Sequence, residues 1–138
     1  MTTTTDVRIE RTLGAPPETV YAAWTDPATM ERWYCPNPDL EVTVTADVRV
    51  GGPYRVQMGR YGVSGSYLEL TPHAVITFTA VWDHEPRTVS RVRVELLPLD
   101  GGTLLVLTQT GLADAADAEG HTEGWTLALD RMAGLLAG

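Results

Sequence analysis

Apolar and polar positions change their spacing twice along this chain, and each change marks a different element. Val7 and Ile9 alternate with Arg8 and Glu10, the period of a half-buried strand. Ala15, Pro16 and Pro17 end it. Pro17 suits the first turn of a helix, Glu18 favours its positive end, and Val20, Ala23 and Trp24 share one face, so a short helix follows. Asp26 and Pro27 stop that helix, and a second short one is expected from Ala28 to Trp33. From residue 40 the period drops to two. Val42, Val44, Ala46, Val48 and Val50 alternate with Thr43, Thr45, Asp47 and Arg49, predicting one strand as far as Val50. Gly51 and Gly52 turn the chain, and Tyr54, Val56 and Met58 alternate with Arg55 and Gln57. Further strands are expected over Tyr61 to Leu70, Val75 to Trp82, Val89 to Leu97 and Thr103 to Thr110. Neighbouring strands joined by such short turns must run antiparallel. The Ala and Asp run from Ala113 to Ala118 reads as a loop. Beyond it Trp125, Leu129, Met132 and Leu136 form an apolar stripe, the mark of a helix lying on the sheet. The order predicts an α+β fold: one curved antiparallel sheet gripping a long C-terminal helix, with two short helices after the first strand.

Composition narrows the class of function. At 138 residues with 43 % hydrophobic content, the chain is long enough for one real core, expected as a single domain over 7–138 after a disordered N-terminus at 1–6. The balance of 10 basic residues, all Arg, against 18 acidic ones gives a net charge of −8, which repels phosphate backbones and anionic lipid; no nucleic-acid partner is expected. No stretch approaches the ~20 apolar residues of a membrane span, so no membrane insertion is expected. Cys35 is the only cysteine, so no intramolecular disulfide can form, and a cytoplasmic location is the expectation.

Alternation places Tyr54, Val56, Met58, Tyr67, Glu69, Ile76, Phe78, Trp82, Val92, Val94, Leu96, Leu105, Leu107 and Gln109 on one face of the sheet. Arg55, Gln57, Arg91, Arg93 and Glu95 fall on the other. The inward face is either an ordinary filled core or the wall of a cavity for a flat apolar molecule. Glu69 and Gln109 are its polar exceptions. A carboxylate in an apolar pocket becomes a weaker acid and can serve as acid, base or ligand anchor, or it can simply be the buried partner of an Arg or a backbone amide. Gln109 either fixes a ligand carbonyl or hydroxyl or satisfies a strand end. His121, one turn before Trp125, is either a general acid or base at the cavity mouth or an exposed helix-start histidine. His73 and His84 fall in turns and are expected to be solvated. Cys35 is either a nucleophile or a small buried thiol. The His and Cys positions show no metal-ligand spacing, and Gly62 and Gly65 lie inside strands without the Lys of a phosphate loop, so neither metal nor cofactor is expected. Leu104 and Val106 fall on the outward face of an edge-proximal strand, as unpartnered surface residues or as a homodimer contact.

Several strings in register resemble a known family. Ile9-Glu10-Arg11, Ala15-Pro16, Val20, Ala23-Trp24-Thr25-Asp26-Pro27, Arg32-Trp33 and Pro36 are followed by Asp47, Arg49, Gly51-Gly52 and Tyr54-Arg55. Gly65, Tyr67, Glu69, Pro72, Gly102-Thr103, Gly124-Trp125, Leu129 and Arg131 continue the pattern. Together they resemble the AHSA1-like (Hsp90 ATPase activator homologue 1-like) branch of the SRPBCC superfamily, which also holds START lipid-transfer domains, Bet v 1 and aromatic polyketide cyclases. The resemblance implies a helix-grip fold with a cavity between the sheet and the last helix. It implies binding of a small hydrophobic molecule, aromatic or polycyclic and lipid- or polyketide-like, by Trp33, Tyr54, Met58, Tyr67, Glu69, Phe78, Trp82, Gln109, Trp125, Leu129 and Met132. The alternative is an enzyme of the cyclase, aromatase or hydrolase type, with Glu69 or His121 moving protons; a module acting on an Hsp90-type chaperone is a third reading. Two departures stand out: Cys35 occupies a position where the family usually has Gly, and the hairpin after Met58 is short, which implies a cavity more open at that edge.

Overall fold

The computed structural model describes residues 6–137; of the N-terminal stretch expected to be disordered, all but the exposed Asp6 lies outside them. Strand β1 (Val7–Leu13) is followed by helices α1 (Pro17–Thr25) and α2 (Pro27–Trp33). Six strands come next: β2 (Val42–Ala46), β3 (Pro53–Met58), β4 (Tyr61–Thr71), β5 (Val75–Trp82), β6 (Ser90–Leu99) and β7 (Gly102–Thr110). The chain ends in α3 (Ala115–Leu136). The seven strands form one antiparallel sheet in the order β1-β7-β6-β5-β4-β3-β2. Its concave face holds the core, where Val20, Trp24, Trp33, Ile76, Leu105, Leu107, Leu129 and Met132 are almost fully buried. This is the expected helix-grip fold. Among the described residues no helix is long and apolar enough to cross a membrane.

Both short helices begin as the sequence dictates, with Pro17 and Pro27 in their first turns, where a missing N–H costs nothing. Trp33 closes the pair by donating its indole N–H to the Ala23 carbonyl at 2.9 Å. The C-terminal half of α3 is held by an ion pair from Arg11 on β1 to Asp130, and by Arg131 donating to the Cys35 carbonyl.

Several sequence expectations are corrected. Strand β2 ends at Ala46 rather than Val50: residues 47–52 form a turn in which Asp47 pairs with Arg49, while Gly51 N–H donates to the Tyr67 carbonyl. The run expected as a loop over Ala113 to Ala118 instead starts α3. Asp114 caps the helix by accepting from Asp117 N–H at 2.8 Å, and the Asp117 carboxylate accepts from Ala113 N–H at 3.2 Å. The pair resembles a capping box, except that the second carboxylate reaches back to the N–H of the residue before the cap. The third correction concerns Glu69. In β4 the register with β5 shifts between Tyr67 and Glu69, so Tyr67 opposes Phe78 but Glu69 opposes Thr77. The extra residue, Leu68, is a β-bulge, and it turns Glu69 from the concave face to the convex one. There Glu69 bonds to Arg93 at 3.0 Å.

On the same convex face, Val106 is only 6 % exposed, because it lies between Glu10 of β1 and Glu95 of β6; it is not the surface residue expected. Leu104 beside it is half-buried. Gly65 is needed for close approach of the neighbouring strand rather than for phosphate, and Gly62 leaves room for the Arg55–Asp83 pair. A Cβ at Gly62 would meet the Arg55 guanidinium at 2.2 Å, and one at Gly65 would meet the Thr79 carbonyl oxygen at 1.9 Å.

Candidate functional site

The N-terminal half of α3 does not seat fully on the sheet, and a cavity of about 500 Å³ lies beneath it. Its helix wall is Asp117, Gly120, His121, Gly124 and Trp125; its floor is Met58, Val63, Ala80, Trp82 and Gln109. The loop after α2 supplies Tyr34, Cys35, Pro36, Asn37 and Leu40, while Tyr61, His84 and Glu85 border the mouth. Two features of the chain keep this space open. Gly120 and Gly124 leave one helix face bare, and a Cβ built at either would meet nothing within 4 Å. The two-residue turn between β3 and β4, Gly59 and Arg60, leaves Met58 and the exposed Tyr61 at the edge, in line with the open edge that the short hairpin implies.

The polar groups in the wall are mostly committed to one another. Trp125 donates its indole N–H to Gln109 Oε1 at 2.8 Å, and Gln109 Nε2 donates to Ser90 Oγ at 2.9 Å. Gln109 therefore satisfies the strand and the helix rather than offering a free group. Trp82 donates its indole N–H to His121 Nε2 at 3.1 Å, while His121 Nδ1 donates to the Asp117 carbonyl oxygen at 2.9 Å. Those contacts require the neutral imidazole with its proton on Nδ1. The Asp117 carboxylate lies 3.3 Å from the same nitrogen. At the mouth, the tilted Trp82 and His84 rings have centroids 5.8 Å apart, and Tyr61 stands edge-on to His84 at 6.3 Å. The loop carrying His84 and Glu85 is anchored by Arg55, which donates twice to Asp83, at 2.6 and 3.0 Å, and holds that carboxyl below its usual range.

Deeper in the core lies a second, much smaller chamber of about 10 Å³, bounded by Trp24, Met30, Tyr34, Tyr54, Tyr67 and Phe78. Burial pushes the Tyr67 phenol up to about 12 and those of Tyr34 and Tyr54 well above their usual value, each reinforced by a neighbouring tyrosine. All three are neutral at physiological pH.

Of the residues expected to touch a ligand, Met58, Trp82, Gln109 and Trp125 border the main cavity, together with the candidate His121. Tyr54, Tyr67 and Phe78 border the inner chamber instead. Trp33, Leu129 and Met132 border neither: each is fully buried, Trp33 behind its bond to Ala23 and the other two where α3 is drawn onto β1. Glu69 lies on the opposite face. His84, expected to be solvated, is exposed but forms part of the mouth; His73 is exposed in the turn between β4 and β5. Cys35 is a buried thiol, 2 % exposed, in the cavity wall. Periodicity could not find Asn37, Leu40 and Glu85, which stand on loops. Asp117 was legible as an acidic residue in the first turn after an Asp cap. Among the described residues no three His, Cys, Asp or Glu side chains form a group able to hold a metal ion.

Comparison with solved structures finds the same fold in many bacterial proteins. Protein CV1439 from Chromobacterium violaceum is 31 % identical, with a TM-score of 0.85 over 98 % of this chain and 99 % of that one. Mll3558 from Rhizobium loti is 30 % identical, with a TM-score of 0.78 over 94 % and 95 %. CalU16 from Micromonospora echinospora is 27 % identical, with a TM-score of 0.75 over 95 % of this chain and 74 % of that one. No curated protein matches the chain. The model of the family described as Activator of Hsp90 ATPase homolog 1-like protein matches residues 14–137. That match spans the first helix to the last, and with the shared helix-grip fold it shows that the chain belongs to the AHSA1-like branch of the SRPBCC superfamily.

Proposed function

We propose that the protein binds a small, predominantly apolar molecule, aromatic or polycyclic and lipid- or polyketide-like, in the cavity between the sheet and the N-terminal half of α3. The observation that carries this reading is the cavity itself: about 500 Å³, walled by Tyr34, Met58, Trp82 and Trp125, and held open by two helix glycines. Its size lies in the range of small-molecule sites, where apolar walls supply most of the affinity. Aromatic walls favour flat ligands that can stack. The charge of the ligand is also constrained. Among the described residues lining the cavity there is no Arg or Lys, whereas Glu85 and Asp117 bring carboxylates and the whole chain carries a net charge of −8. A neutral or cationic ligand fits that field, and an anionic one opposes it.

An enzymatic reading rests on His121, a titratable ring paired with a carboxylate in the wall. Its Nε2, the atom that would exchange a proton with a ligand, already accepts from Trp82. Proton transfer would require that bond to break first, which favours binding over chemistry.

The test is a titration of intrinsic tryptophan fluorescence with three naphthalene probes of matched size: 2-naphthylmethylamine, 2-acetylnaphthalene and 2-naphthoate. Saturable quenching by the amine and the ketone is expected, with the carboxylate roughly tenfold weaker. The response should shrink in Trp82→Phe. Absence of saturable quenching by any probe, or tightest binding of the carboxylate, would overturn the reading.

A further inference from the structure

The inner chamber has room for a single water-sized atom, and two of the residues that bound it carry a buried polar group with nothing to bond to. Trp24 Nε1 and Tyr67 Oη are both cut off from solvent and without a hydrogen-bond partner, in residues only 1 % and 2 % exposed. An indole N–H can only donate, and a phenol donates readily. Two such donors in the walls of one small chamber call for an acceptor, because a buried donor left unpaired costs free energy. Of the other two tyrosines at the chamber, Tyr54 is already engaged, since it donates to the Thr79 carbonyl at 2.6 Å. Tyr34 borders both the chamber and the main cavity, so a single aromatic ring is common to the two spaces.

We propose that the inner chamber is a subsite for one neutral hydrogen-bond-accepting oxygen of the ligand, a ketone, quinone or ether oxygen received by Trp24 Nε1 and Tyr67 Oη as the ligand reaches past Tyr34 from the main cavity. This rests on the ligand-binding reading above and adds to it the chemical group by which the ligand is recognised. The oxygen is neutral because the chamber offers donors without any cation: its walls are Trp, Met, Tyr and Phe. The phenols, held protonated by burial, are donors at physiological pH rather than phenolates that would repel an acceptor. Discrimination should be strong, since a ligand lacking the oxygen leaves both donors unpaired.

The experiment compares 2-acetylnaphthalene with 2-isopropenylnaphthalene, a near-isostere in which a methylene replaces the carbonyl oxygen. The wild-type protein should bind the ketone about tenfold more tightly. In Tyr67→Phe that preference should fall to about threefold through weaker binding of the ketone, because Trp24 Nε1 alone remains to donate, with the hydrocarbon unchanged. The same substitution should leave the melting temperature of the unliganded protein equal or higher, because it deletes an unsatisfied group; a merely structural tyrosine would lower it and weaken both ligands alike. A crystal of the ketone complex should show the carbonyl oxygen in the chamber. A water there with the carbonyl elsewhere, or equal affinities of the two probes, would overturn the subsite while leaving cavity binding intact. Failure of both probes to bind would overturn the subsite together with the reading it rests on.

Discussion

Trp125 on α3 donates its indole N–H to Gln109 on β7 at 2.8 Å, and this contact joins the gripped helix to the sheet at the inner end of the cavity. Gln109 is 1 % exposed, and its amide passes the connection on to Ser90, whose hydroxyl donates to the Ala80 carbonyl at 3.2 Å. The chain of bonds crosses β7, β6 and β5 under the cavity. Gln109→Leu keeps the volume but leaves the Trp125 N–H without an acceptor. The expected loss is about 1–3 kcal/mol of unfolding free energy by urea titration, with a shift in tryptophan emission as the indole loosens. Unchanged stability and emission would show that the bond contributes nothing.

Glu69→Gln is expected to leave ligand binding untouched. Its carboxylate meets Arg93 on the convex face, with both side chains more than 40 % exposed, so the stability change should stay within about 1 kcal/mol and shrink further in salt. A substantial change in affinity for any cavity ligand would contradict the outward orientation set by the bulge at Leu68.

The fate of Glu69 shows where sequence was readable and where it was not. Strict alternation placed Tyr54, Val56, Met58, Phe78, Trp82, Val92 and Leu107 on the correct face, because period two holds wherever the pleat is unbroken. A bulge adds one residue without a compositional mark, so Tyr67 and Glu69 look alike in sequence although they face opposite ways. The same limit misled the reading past Ala46, where alternating valines continue into a turn stabilised by the distant Tyr67. The cavity was legible as a chemical character but not as a place. Which inward residues meet empty space depends on where α3 lifts from the sheet, and that follows from Gly120, Gly124 and the pinning of Asp130 by Arg11. The Asp114 and Asp117 pair was a readable helix start that an Ala-rich surrounding disguised.

Alkaline titration offers a check on the buried tyrosines. In the unfolded chain each phenol titrates near 10, whereas burial raises Tyr67 to about 12 and also moves Tyr34 and Tyr54 well above that unfolded value. Below the unfolded value both states are protonated and stability is unaffected. Above it the unfolded chain releases protons that the folded one retains, so stability falls as pH rises, by about 1.4 kcal/mol per pH unit for each such tyrosine. Cooperative unfolding is therefore expected above pH 10, with the phenolate absorbance of these three residues appearing together with loss of the far-ultraviolet circular dichroism. Ionisation of all the tyrosines near pH 10 in a protein that stays folded would contradict their burial.

The two helix glycines make the sharpest separation between fold and function. Glycine inside a helix costs roughly 0.5–1 kcal/mol relative to alanine, because more backbone freedom is lost on folding. At Gly124 nothing in the fold demands that cost, since a Cβ there would meet no atom within 4 Å. Gly134, exposed in the same helix and away from the cavity, is free in the same way and serves as the control. Gly124→Ala and Gly134→Ala should both raise stability by about that amount in urea titrations. Only substitution at 124 should affect the ligand: Gly124→Leu places a branched side chain where the ligand would lie, and should weaken probe binding by tenfold or more while the protein remains folded. Gly134→Leu should bind as the wild type does. If Gly124→Leu binds the naphthalene probes unchanged, the ligand does not occupy the space beneath α3.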